Sequence, residues 1–186
     1  QVVEANGTML DNTLAAIRAT NATKPVLFVT DDVPLLTAEA VTDFLQKVTN
    51  QEADVFYPII PQSVCLRDFP AGKRTYVTFK DGIFTGGNIL LVNPEVVANC
   101  KEVAEQVFAK RKYPWKLCSW LGWSFVLKFL LHRLEVKDVE ARASQLLGFR
   151  GKAIVTEFAE IGMDVDKEAD WHLIETCLCS EAGGHK

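Results

Sequence analysis

The sequence predicts an α/β fold built on a mostly parallel, mixed sheet. Three observations carry that expectation. Short apolar runs of strand type alternate with segments of helical periodicity along the chain. The run Pro25 to Val29 is continuously apolar, as a strand covered on both faces would be. Asp81-Gly82 is a strong hairpin signal and adds an antiparallel element to the sheet.

Each element follows from its residues. Thr8 to Ala19 reads as a helix, with Leu10, Leu14 and Ile17 at helical spacing. Asn21 to Lys24 is a polar turn, and Pro25 to Val29 is the first strand. Thr37 caps the next helix, with Glu39 in the first turn facing the helix dipole. That helix is expected to bury Ala40, Val41, Phe44, Leu45 and Val48. Asp54 to Ile60 is a second strand, closed by Pro58 and Pro61. Leu66 to Arg74 reads as a loop rich in Pro, Gly and charge. Thr75 to Lys80 alternates as a strand before the Asp81-Gly82 turn, and Ile89 to Val92 is a further strand. Asn93-Pro94-Glu95 starts a helix, with Asn as cap and Pro at the first helical position; it runs from Val96 to Lys110. Lys110 to Pro114 breaks it. A strongly apolar helix follows from about Trp115 to Leu134, then a helix from Asp138 to Leu147 and a strand from Ala153 to Phe158. A final helix spans about Ala169 to Leu178, and Ser180 to Lys186 is a polar tail.

The chain has 186 residues, which suits one domain, residues 1–179, followed by the tail 180–186. It is 48% hydrophobic and 24% charged, close to the globular average, which argues against disorder. Its net charge of −4 argues against a general nucleic-acid binder, which would present a basic face. Phosphate ligands stay compatible, because a local basic patch is enough. The five cysteines are odd in number and irregularly spaced, with no zinc-ligand pattern; they read as reduced thiols of a cytoplasmic protein. Gln1 to Glu4 lacks the basic start of a signal peptide and begins in mid-pattern, as a piece of a longer protein would. Leu117 to Leu131 is short for a membrane span and carries Lys128.

Two acidic turns stand out as chemistry. In Thr30-Asp31-Asp32-Val33-Pro34 a strand ends in carboxylates before a helix, and ligands of α/β sheets bind beyond the carboxyl ends of strands. Asp32 is the sharper candidate, because Val33-Pro34 fixes the backbone after it; Asp31 reads equally as a solvated neighbour. In Asp164-Val165-Asp166, extended backbone would point both carboxylates one way. If the fold joins the turns, Asp32, Asp164 and Asp166 could share one Mg²⁺, a hard ion that takes carboxylate and phosphate oxygens. Helix capping by Asp166 or Asp170 is the plain alternative. Thr85-Gly86-Gly87-Asn88 permits close backbone approach to a ligand, or is a simple turn or β-bulge. Arg74, beside Lys73, is the better of the basic candidates for phosphate, ahead of Lys110-Arg111-Lys112. The Trp-rich helix from Leu117 to Leu134 reads first as a core helix or a subunit contact, and otherwise as a cover over a substrate or a membrane-surface contact.

Taken together, the three segments Val26–Thr37, Thr85–Leu91 and Asp164–Asp170 resemble the MobA-like nucleotidyltransferases, with the nucleotide-diphospho-sugar transferase (GT-A-like) fold. The resemblance implies a three-layer α/β/α domain, N-terminally incomplete, since nothing here matches the family's opening strand and Gly-rich nucleotide loop. It implies catalysis and metal binding at Asp32 and Asp166, with Asp164 as a further metal ligand. It places Arg74, Thr85, Gly86, Gly87 and Asn88 on the substrate side. The implied activity is Mg²⁺- or Mn²⁺-dependent transfer of a nucleotidyl group from an NTP to a phosphorylated or alcohol acceptor, with release of pyrophosphate. A glycosyltransferase using a sugar nucleotide, or a non-catalytic binding domain of the same fold, are the alternatives. The expected partners are the NTP and a small acceptor, with neither nucleic acid nor a transmembrane segment, and a homo-oligomer contact through the Leu117–Leu134 helix.

Overall fold

A computed structural model of the chain describes residues 2–5, 7–96 and 122–183. The helix expected over Val96 to Lys110, the basic run Lys110 to Lys112 and the start of the Trp-rich helix therefore lie outside the described residues, apart from the first turn at 94–96. The described elements are α1 (Met9–Thr20), β1 (Val26–Val29), α2 (Ala38–Val48), β2 (Val55–Pro61), α3 (Gln62–Asp68), β3 (Val77–Phe79), β4 (Gly82–Gly86), β5 (Ile89–Val92), α4 (Trp123–Leu130), α5 (Val136–Leu147), β6 (Gly151–Val155), a 3₁₀ turn (Ala159–Gly162) and α6 (Glu168–Gly183).

The sheet has six strands in the order β1-β5-β2-β4-β3, with β6 also paired to β2. It is mostly antiparallel, which overturns the expected mostly parallel sheet; the α/β class itself holds. β2 runs antiparallel to β4 (Ile59↔Gly86, Ile60↔Thr85) and to β5 (Val55↔Val92), and β3 is antiparallel to β4 (Val77↔Phe84, Phe79↔Gly82). The physical reason lies in the connections. A parallel pair needs a long crossover, whereas β3 and β4 are joined by the two-residue turn Lys80-Asp81, and β5 only continues the course of β4 along β2 past Gly87-Asn88, so both lie antiparallel to β2. Alternation of helix and strand in a sequence fixes their order and leaves strand direction open.

The chain forms two compact units. One comprises Gln1–Phe28, Glu52–Phe56 and Leu91–Lys152; the other comprises Val29–Gln51, Tyr57–Leu90 and Ala153–Lys186. In the first, α1 begins with a capping box between Thr8 and Asp11 and ends at Asn21 in the left-handed region. Leu14 and Ile17 form its buried face. The start of β2 is tied to the segment before β6, because Arg150 O accepts from the Asp54 and Val55 amides while Asp54 Oδ2 accepts from Arg150 N. α5 begins two residues earlier than expected: Asp138, expected as its first residue, is the third, and its carboxylate caps the Glu135 amide. α4 has no buried residue, and Trp123, Leu127 and Leu130 are exposed. Its described part is thus exposed, which counts against the core-helix half of the expectation and bears neither way on a subunit contact.

In the second unit, α2 is capped by Thr37 Oγ1, which accepts from Ala40 N. It buries Ala40, Phe44 and Val48, one face at four-residue spacing, while Leu45 points outward. α3 occupies what the sequence suggests is the edge of a loop. Its Val64 and Cys65 pack with Ile60 and Ala159 in a buried cluster, against which Phe69 and Tyr76 lean. α6 starts one residue earlier than expected and continues through Gly183 into the anticipated tail. No helix among the described residues is long and apolar enough to cross a membrane.

Candidate metal centre and basic cleft

The two acidic turns meet within the second unit. The Val165 amide donates to the Asp32 carbonyl at 3.0 Å, a backbone bond that fastens one turn to the other. Carboxylate oxygens of Asp32, Asp164 and Asp166 consequently lie within 4.8 Å of one another. Asp31 points to solvent. Asp170 performs the capping, its Oδ2 accepting from the amides of Asp166 (3.3 Å) and Lys167 (2.9 Å) at the start of α6. The Asp166 side chain is thereby left to the cluster.

The donor set suits a hard divalent cation. It is all carboxylate oxygen, and its spread is close to the roughly 4.2 Å between opposite oxygens around Mg²⁺, bound at about 2.1 Å each. Asp32 Oδ1 is buried and has no hydrogen-bond partner among the described residues. A buried acceptor left unpartnered is costly, and a cation at this point would satisfy it. Arg74 supplies a counter-charge: its Nη1 is paired with Asp164 Oδ1, and both side chains are mostly buried.

A cleft of about 380 Å³ opens beside this pair. Lys73, Arg74, Thr85, Asp166 and Lys167 are among its lining residues. Thr85 sits in β4 opposite Ile60, so the sheet register fixes its place. Gly86 closes β4, and Gly87 still donates to Pro58 O at 3.0 Å. Asn88 then leaves the ladder, donating to Ile161 O and accepting from Thr30 N. Gly87-Asn88 is therefore a β-bulge that stitches the end of β1 to the 3₁₀ turn. The glycines have a packing reason: a Cβ on Gly87 would lie 2.6 Å from Ile161 Cγ2 and 2.9 Å from Pro58 Cγ, and one on Gly86 would collide with the Tyr57 hydroxyl. Their open faces are filled by the protein itself. The Asn88 Nδ2 group is buried without a partner among the described residues.

Tyr57 was not singled out by its sequence context. Burial pushes its hydroxyl pKa above 10.0, opposed by Arg74 and reinforced by Asp164, so it stays a neutral donor at the edge of the cluster. Lys167 lies within the second acidic turn, and no spacing in the sequence ties it to the cleft that it lines.

No protein-family model and no curated protein matches the chain. A solved structure does: a hypothetical transferase from Thermus thermophilus, 41% identical, with a TM-score of 0.82 over 89% of this chain and 70% of that one. The chain belongs to the family of that protein, and its fold is of transferase kind.

Proposed function

We propose that this transferase is a nucleotidyltransferase of MobA-like type, moving a nucleotidyl group from an NTP to a phosphorylated or alcohol acceptor. The observation that carries the proposal is the convergence of Asp32, Asp164 and Asp166 beside a cleft lined by Lys73, Arg74 and Lys167. In this reading the acceptor oxygen attacks the α-phosphorus, the α–β phosphoanhydride bond breaks, and pyrophosphate leaves. Asp32, Asp164 and Asp166 would hold Mg²⁺ or Mn²⁺. When bound, such an ion neutralises charge on transferring phosphate oxygens.

The chain's own residues then bind and orient. Arg74, Lys73 and Lys167 offer positive charge to an anionic group in the cleft, with Arg suited to bidentate contact. Thr85 offers a hydroxyl on a rigid strand, whereas Asn88 is not among the residues that line the cleft and its Nδ2 is buried. No covalent intermediate is needed, since positioning and fixed charge account for the chemistry. The rival sugar-nucleotide reading predicts a nucleoside diphosphate as the product in place of pyrophosphate.

The test is isothermal titration of CTP, GTP, ATP and UTP, each with and without Mg²⁺, on the native chain and on Asp32→Asn. The proposal expects one nucleotide to bind only with Mg²⁺ and the variant to lose that binding. Equal binding by the variant would remove the assigned role of Asp32.

A further inference from the structure

Asp164 is claimed twice. Its carboxylate belongs to the acidic triad and is also the partner of Arg74. The two side chains are only 17% and 16% exposed, so water screens the pair weakly. A divalent cation among the three carboxylates would sit close to a guanidinium of like sign. Arg74 is not otherwise committed: its Nε is buried and has no hydrogen-bond partner among the described residues. It already lines the cleft that Lys73, Thr75, Thr85 and Lys167 share, so a short movement would offer the guanidinium to an anion there.

We infer that Arg74 is an exchange residue. It holds Asp164 while the cleft is empty, and it transfers to a phosphate-like oxyanion when one enters, releasing Asp164 to the cation. This inference rests on the reading of the triad as a metal site. Its consequence is linkage: the anion tightens cation binding, and the cation tightens anion binding by the same factor. Arg74 thus acts on the ion through Asp164, as a positioning residue.

The experiment is calorimetric titration of Mn²⁺ into the native chain and into Arg74→Met, each with and without saturating inorganic phosphate. Circular dichroism checks that the variant is folded. The native chain should bind Mn²⁺ about fivefold or more tightly with phosphate present, the lower end of typical couplings. Arg74→Met should bind Mn²⁺ more tightly than the native chain without phosphate, and phosphate should change it little. Persistence of the phosphate effect in Arg74→Met would mean that the anion touches the ion directly, and would overturn the exchange. A native chain that binds Mn²⁺ with no response to phosphate also overturns the exchange but spares the metal reading. A native chain that binds no Mn²⁺ overturns both.

Discussion

Burial raises the Cys65 thiol above its ordinary value of 9.0, with smaller lowering effects from Tyr76 and Arg74. A raised thiol pKa means less thiolate at any given pH, and thiolate is the nucleophile. Cys65 should therefore react with iodoacetamide far more slowly than the exposed Cys179, and its rate should still be climbing past pH 9. Peptide mapping of the alkylated protein across pH reads both rates. Gly87→Ala should cost about 1–3 kcal/mol, the usual range for overpacking, because Ile161 and Pro58 already occupy the space. Urea denaturation of the variant measures it. At this scale the sequence was legible where chemistry is local: a carboxylate ending a strand, and an Asp-x-Asp before a helix. It was silent where a residue's meaning comes from a distant partner. Arg74 pairs with Asp164 across 90 positions, and Tyr57 gains its place only when β2 and β4 pair. The capping role fell to Asp170 and the cluster role to Asp166, a division that spacing alone leaves open.

Helix starts were readable because caps are written in adjacent residues. Thr37 is one such cap, and it also donates to Glu160 Oε1 at 3.0 Å. Thr37→Ala should lower stability by about 1 kcal/mol, measured by chemical denaturation. α5 carries a pH signature. The Asp138 carboxyl is lowered chiefly by the hydrogen bond it accepts from the Glu135 amide, with Lys128 helping. A carboxyl depressed in the folded state contributes stability above its unfolded pKa and loses it as pH falls through the folded pKa. Asp138→Asn should thus be less stable than the native chain near neutral pH, and the gap should close in acid; thermal melts at stepped pH check this. α3 escaped notice because its seven residues run directly into a Pro- and Gly-containing stretch. The sheet's direction is hidden for a larger reason: β3 and β4 are joined by a turn too short for a crossover, β5 continues β4 along β2, and only pairing reveals which way each strand runs.

At the level of the whole chain, the acidic turns, the cleft and the bulge all belong to one compact unit. Its solid support is the buried face of α2, where Phe44 is fully enclosed, together with the cluster around Ile60. Phe44→Ala should cost about 3–5 kcal/mol of stability, read by chemical denaturation. A cation that binds only the folded state stabilises it by mass action, by about 2.7 kcal/mol at a hundred times its Kd. The most direct measurement is Mn²⁺ titration, by calorimetry and by thermal shift, of the native chain against Asp32→Asn. The geometry predicts one ion per chain and a raised melting temperature for the native protein, with binding at least about tenfold weaker in the folded variant. Equal affinity in the two proteins would contradict the assignment of Asp32, Asp164 and Asp166 as a metal centre.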